Sequence, residues 1–190
     1  SWELFQAKKL ALEEQSDAAI ASRAESDLDA NTEYIELIQP LLTLSRFCIE
    51  LGNYALGGVI SCAIRDIDSN NLESFYLEGF SNYLILKKTQ YDAQHNQFNP
   101  EIFEGFRVDL NKIQTEEEQK ILQKAKINFS IILKIQDNNP TDIDPEIEQH
   151  THFLINELGG VVEVSGYEED EEDENINEDN WQDVVESDDE

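Results

Sequence analysis

Charge placement restricts the fold of this chain more than any other feature of its sequence. Lys134 is the last basic residue. Residues 135–190 carry 21 acids and no base, a net −21, whereas residues 1–134 carry 21 acids and 13 bases, a net −8. The densest stretch, Tyr167 to Glu190, has 14 acids in 24 residues, and its few apolar residues are Ile176, Trp181, Val184 and Val185. Like charges at that density repel one another and leave too little apolar surface to offset the entropy of ordering, so this end is expected to be disordered. A packed core must come from the remainder. The expected division is a helical domain over residues 1–160 and an acidic tail over residues 161–190, with 39% apolar residues in the chain as a whole to supply the core.

The same distribution restricts the partners. A formal charge of −29 and a pI near 4.1 disfavour gripping nucleic acid or an anionic membrane, because both need the opposite sign. The expected partner is a basic protein. Cys48 and Cys62 sit among apolar neighbours without a CxxC or a second pair, and no signal peptide opens the chain, which points to a reduced intracellular protein. No apolar run approaches the ~18 residues of a membrane span. There is no Met, and Ser1-Trp2-Glu3-Leu4-Phe5 reads as mid-helix, so the chain is expected to be the C-terminal part of a longer one.

Helical periodicity dominates the chain. Leu4, Ala7 and Leu10 share a face in Trp2–Leu12, followed by a small and polar stretch from Glu13 to Asp29. Leu37, Leu41, Leu44 and Cys48 mark a helix over 31–51 that ends at Gly52-Asn53. A partner helix runs over 54–67, with Leu56, Ile60, Ala63 or Ile64, and Ile67 on its apolar face, and Asp68-Ser69-Asn70-Asn71 caps a third over 72–88. Residues 89–114 read as an irregular insertion with one short helix near Ile102, Phe103 and Phe106. Thr115 and Glu118 have capping-box spacing before a long helix over 116–135. Asp144-Pro145 opens a last helix, with Ile147, Thr151, Leu154 and Leu158 on one face and Gly159-Gly160 at its end. Only Val161–Val164 hints at extended structure. The expected class is all-α.

Helix pairs spaced by about 34 residues fit the tetratricopeptide period. With Gly52 at the turn of one repeat, Leu41 and Leu44 fall in its first helix and Tyr54, Gly57, Ile64 and Ile67 in its turn and second helix. One period on, Phe75 takes the large aromatic position and Gly79 the small one, and Leu4, Ala7 and Leu10 fit the end of a preceding second helix. The following second helix, near Tyr91, departs from the pattern. The expectation is a helical repeat solenoid with a degenerate or interrupted last repeat.

Two segments carry a family resemblance. Glu73-Ser74-Phe75-Tyr76-Leu77-Glu78-Gly79-Phe80, and His150-Thr151-His152-Phe153-Leu154-Ile155-Asn156-Glu157-Leu158 followed by an acidic tail with a lone Trp181, resemble the acidic tetratricopeptide assembly chaperones dedicated to large-subunit ribosomal protein L-four. The similarity spans roughly residues 45–190. It implies a cytoplasmic and nuclear protein that captures an extended segment of that newly made, highly basic ribosomal protein and keeps it soluble for large-subunit biogenesis. The alternatives are an acidic tetratricopeptide histone chaperone or a general interaction scaffold.

In this register the first helices line the concave face, bringing Glu73, Tyr76, Phe80 and Tyr83 from one helix beside Arg46, Ile49 and Glu50 from the other. Aromatic side chains offer rigid apolar contact and carboxylates select Lys and Arg, which together suit a basic peptide. The competing reading places Phe75, Tyr76, Phe80 and Tyr83 in the core. His95, His150 and His152 read as solvated rather than metal-binding, because two histidines two residues apart on a helix face different ways. Glu116-Glu117-Glu118 reads as helix N-terminal charge. There is no Ser/His/Asp set, phosphate loop or Walker motif, so no catalysis and no cofactor are expected. An adaptor for heat-shock chaperone C-termini would need Lys and Asn to clamp a carboxylate, and the expected groove offers Glu73 and Glu50 instead.

Overall fold

The computed structural model describes residues 35–138 and 144–164, together with Gln6. The readings of residues 1–34 and of the acidic run from Tyr167 therefore lie outside the described residues. Within them the chain forms α1 (Ile38–Glu50), α2 (Tyr54–Arg65), α3 (Leu72–Gln94), α4 (Pro100–Gly105), a short 3-10 turn (Leu110–Lys112), α5 (Glu116–Asn138) and α6 (Pro145–Glu157). The fold is all-helical, with no strand among the described residues. Val161–Val164 forms no strand either; the Val162 amide donates to Ser130 Oγ at 3.0 Å and Lys134 Nζ donates to the Val164 carbonyl at 3.3 Å.

The helix ends follow their local chemistry. At the α1–α2 turn Gly52 adopts φ 77° while the Asn53 amide reaches back to the Cys48 carbonyl at 2.8 Å, a left-handed cap that a residue with a Cβ adopts only at a cost. Gly159 and Gly160, at φ 88° and 90°, end α6 in the same way. The Asn71 and Asp144 side chains accept from the Ser74 and Glu146 amides and open α3 and α6. The Thr115–Glu118 box forms in both directions: the Glu118 amide donates to Thr115 Oγ1 at 3.1 Å and the Thr115 amide to Glu118 Oε2 at 3.1 Å. The Thr115 amide, then the Thr115 hydroxyl and the Gln114 amide, all donating to the Glu118 carboxylate, hold it below its ordinary pKa.

Short connections fold α1, α2 and α3 back on one another in sequence, and α3 lies between α2 and α5 with α6 against α5. Two apolar clusters result. One joins Leu41, Leu42, Cys48, Ile60, Ile64 and Leu77 across α1, α2 and α3. The other joins Phe75, Leu86, Tyr91, Phe129, Ile132, Leu154 and Leu158 across α3, α5 and α6, and Ile49 and Tyr76 pack against both.

Small residues set the helix spacing. A Cβ on Gly57 would meet Ile49 at 3.0 Å and Ser81 at 3.2 Å, and a Cβ on Gly79 would meet the Phe129 ring at 2.8 Å. The Ser45 and Ser61 hydroxyls lie 2.8 Å apart, each within 3.0 Å of the Gly57 carbonyl. The buried stripe of α1 is accordingly Ile38, Leu41, Leu42, Ser45 and Cys48, with Leu37 and Leu44 only half-buried, a rotation from the expected stripe caused by a serine seated in the helix crossing.

The third helix departs most from expectation. α3 runs to Gln94 rather than Lys88. One repeat period beyond the Gly52 turn, about 34 residues, falls at Leu86-Lys87, in mid-helix and buried. No Gly, Pro or Asn stands there to turn the chain. The insertion that follows is built around Tyr91, whose hydroxyl accepts from the Asn99 amide at 2.9 Å and whose ring stacks on His95 and meets Phe98, Phe103 and Phe106 edge-on. The Gln90 side chain pins the next turn, donating to the Asp109 carbonyl at 2.9 Å and accepting from the Asp109 amide at 2.8 Å.

Candidate client-binding surface

The sequence-named residues fall into two groups. Arg46 and Glu73 are joined by an ion pair between α1 and α3, and Glu50, the last residue of α1, is exposed. Ile49 is half-buried. Along α3, Tyr76, Phe80 and Tyr83 form a row: Tyr76 and Phe80 stack with centroids 5.8 Å apart, and Phe80 and Tyr83 at 6.3 Å. Tyr76 and Phe80 are partly exposed, whereas Tyr83 is only 2% exposed. Tyr83 is thus corrected from the open face to the core. Its hydroxyl is spent on the protein itself, donating to Glu157 Oε1 at 2.8 Å.

What covers the row is α6. The Tyr76 hydroxyl and His150 Nδ1 lie 2.7 Å apart, and the Phe80 ring meets the His150 ring edge-on at 5.3 Å. His150 is half-buried among aromatic rings rather than solvated as the sequence suggested, while His152 is exposed. Burial comes first in depressing the His150 pKa below its ordinary 6.5, with the nearby Lys87 charge adding to it. Burial likewise pushes the Tyr76 hydroxyl up to about 12, helped by the Glu73 charge. Tyr83 is raised too, by burial and then by its bond to Glu157.

Four further residues complete the surface. Phe153 is 45% exposed, stacks on His150 at 6.3 Å and has the Arg107 guanidinium 4.5 Å from its centroid. Arg107 Nη1 donates to Glu157 Oε2 at 2.9 Å, and the Val108 amide donates to Glu157 Oε1 at 3.0 Å. Lys87 lies beneath, nearly buried, donating to the Glu104 carbonyl at 3.0 Å and lying over the Phe103 ring at 4.9 Å; burial lowers its pKa.

His150, Phe153 and Glu157 recur every three or four residues, so a helical reading of the last helix puts them on one face beside the buried Leu154 and Leu158. Arg107, in an irregular segment, carried no such signal. Together the residues offer aromatic faces and carboxylates within one surface, a chemistry for cationic side chains. No group of His, Cys, Asp and Glu among the described residues is arranged to hold a metal, and no described helix is long and apolar enough to cross a membrane.

No curated protein and no solved structure matches the chain. A family model does: the ACL4 C-terminal domain matches residues 70–177, more than half of the chain, starting at the cap of α3 and taking in the aromatic row, the Tyr91 insertion, α5 and α6. With the family's motifs placed on the two helices that build this surface, the chain belongs to the ACL4 family of assembly chaperones.

Proposed function

We propose that the chain is a non-catalytic chaperone that binds an extended segment of newly made ribosomal protein L-four and shields it, in cytoplasm and nucleus, until large-subunit assembly. The match to the ACL4 C-terminal domain over residues 70–177 carries this reading. The charge supports it independently, since a chain of net −29 selects a basic client. We take α1, α2 and the first half of α3 as a tetratricopeptide-like unit, on the strength of their short turns and the small-residue crossing at Ser45, Gly57 and Ser61. The client lies along the face that carries Glu50, Glu73, Arg46, Tyr76 and Phe80. Tyr83 supports that face from below.

Removing Glu73 deletes a carboxylate and also frees Arg46 from its ion pair, adding a repulsive cation to the surface. Glu50→Ala with Glu73→Ala should weaken binding of purified ribosomal protein L-four by about 2 to 5 kcal/mol if these carboxylates are desolvated against client Lys or Arg. Phe80→Ala should weaken it further. Calorimetric titration of variants with unchanged circular dichroism tests this. Unaltered affinity places the client elsewhere, and failure of the parent chain to bind ribosomal protein L-four at all removes the proposed client.

A further inference from the structure

The geometry points to a guanidinium-reading slot made by Phe153 and Glu157, which the protein's own Arg107 fills and which a partner's arginine takes over. It rests on the proposed function only in assigning the incoming arginine to the client.

Three features of the structure carry it. First, the Glu157 carboxylate is fixed before any ligand arrives: Tyr83 and the Val108 amide both donate to Oε1, leaving Oε2 for a cation, and the Glu157 side chain is only 12% exposed. Second, the aromatic half of the slot is open, because Phe153 is 45% exposed on the surface of α6 while its helix neighbours Leu154 and Ile155 are buried. Third, a guanidinium already shows the fit. Arg107 lies over the Phe153 ring at 4.5 Å and donates to Glu157 Oε2 at 2.9 Å, yet its side chain remains 58% exposed. A planar cation stacked on a ring and bonded to a carboxylate is the arrangement that distinguishes arginine from lysine.

Arg107 is suited to leave. It stands in the irregular segment between α4 and the 3-10 turn, and the anchors of that segment are its neighbours: Val108 is buried, with its amide on Glu157, and the Asp109 backbone is held by Gln90. The backbone can thus keep its place while the Arg107 side chain swings into solvent. An exposed stacked ion pair has a small net worth. A client arginine delivered at high local concentration by its neighbours on the same extended segment competes with it on favourable terms. The slot adjoins the Tyr76–Phe80 row through His150, so an extended segment lying on that row passes over it.

The probes are two extended peptides of glycine and serine, one with arginine at every third position and one with lysine there, titrated into the intact chain. Arg107→Ala should tighten the arginine peptide roughly two- to fivefold, the order of one exposed cation–aromatic contact, with a smaller gain for the lysine peptide. Phe153→Ala in the same background should abolish the difference. Arg107→Lys keeps the charge and the pairing with Glu157 while covering the ring poorly, and it too should favour the arginine peptide. An equal gain for both peptides would mean that only a positive charge had been removed, and an unchanged or weaker arginine peptide would mean that Arg107 is a structural tie; either result overturns the slot. A chain that binds ribosomal protein L-four but shows no arginine preference on Arg107 substitution keeps its function and loses the slot. A chain that shows the preference but ignores ribosomal protein L-four keeps the slot and loses the client.

Discussion

Gly79 and Gly58 look alike in sequence, since each interrupts a helix that alanine would favour by about 1 kcal/mol. Their surroundings separate them. A methyl at Gly79 would meet the Phe129 ring at 2.8 Å, and Phe129 is fully buried in the core between α3 and α5, so the ring cannot yield without displacing its neighbours. Gly79→Ala should cost roughly 1 to 3 kcal/mol, the usual range for overpacking. A methyl at Gly58 would touch Ser81 Cβ at 3.4 Å, and Gly58→Ala should be neutral or stabilising by up to about 1 kcal/mol. Urea unfolding of the two variants beside the parent chain distinguishes them.

His150 and Tyr76 make the aromatic row sensitive to pH from opposite sides. Because the folded-state pKa of His150 lies below its ordinary 6.5, its neutral form contributes stability that is complete above pH 6.5 and is lost as pH falls through the folded value. Tyr76 is raised from 10 to about 12, so its contribution is complete below pH 10 and is lost as pH rises toward 12. Melting temperature should therefore fall on acidification from pH 7 to pH 5.5, and the fall should shrink in His150→Phe, which keeps a ring but cannot be protonated. An identical acid dependence in that variant would assign the effect to other groups.

Between elements, α6 is held to the rest of the fold by one carboxylate in addition to its apolar stripe. Glu157 receives the Tyr83 hydroxyl from α3 and the Val108 amide from the insertion. Its loss strands donors in a half-buried site, which is costlier than the absence of the bonds alone. Glu157→Ala should destabilise by about 1 to 3 kcal/mol, and Tyr83→Phe should remove part of that penalty. A double-mutant cycle on Tyr83 and Glu157 measures the coupling. Additive costs would show that the two side chains do not act as a pair. The same contact explains why Tyr83 is unavailable to a client while Phe80, one turn earlier on α3, keeps part of its ring exposed.

For the whole molecule, the charge asymmetry gives the proposed function a kinetic prediction. Residues 167–190 hold 14 of the 42 acids. Exposed charges act singly with little energy and together as a field that raises the encounter rate with a cation. Deleting residues 167–190 should slow association with ribosomal protein L-four at low salt and flatten the dependence of the rate on ionic strength, while most specificity stays with the helical part. Stopped-flow measurement over a salt series tests it, and a deletion that leaves the salt slope untouched would deprive the tail of this role.

Local signals were enough for the all-helical class, the caps at Asn71, Thr115 and Asp144, and the glycine turns at Gly52 and Gly159. Each depends on neighbours along the chain or on composition, and neither requires knowing what packs where. The stripe of α1, the length of α3 and the burial of Tyr83 were decided by tertiary contacts: a serine seated against Gly57, a Tyr91 that collects four aromatic rings, and a Glu157 brought from 74 residues away to meet Tyr83. The Arg107 slot was not legible for the same reason. Its three members come from an irregular segment and a distant helix, and periodicity describes the face of one helix, not which cation the fold will lay across it.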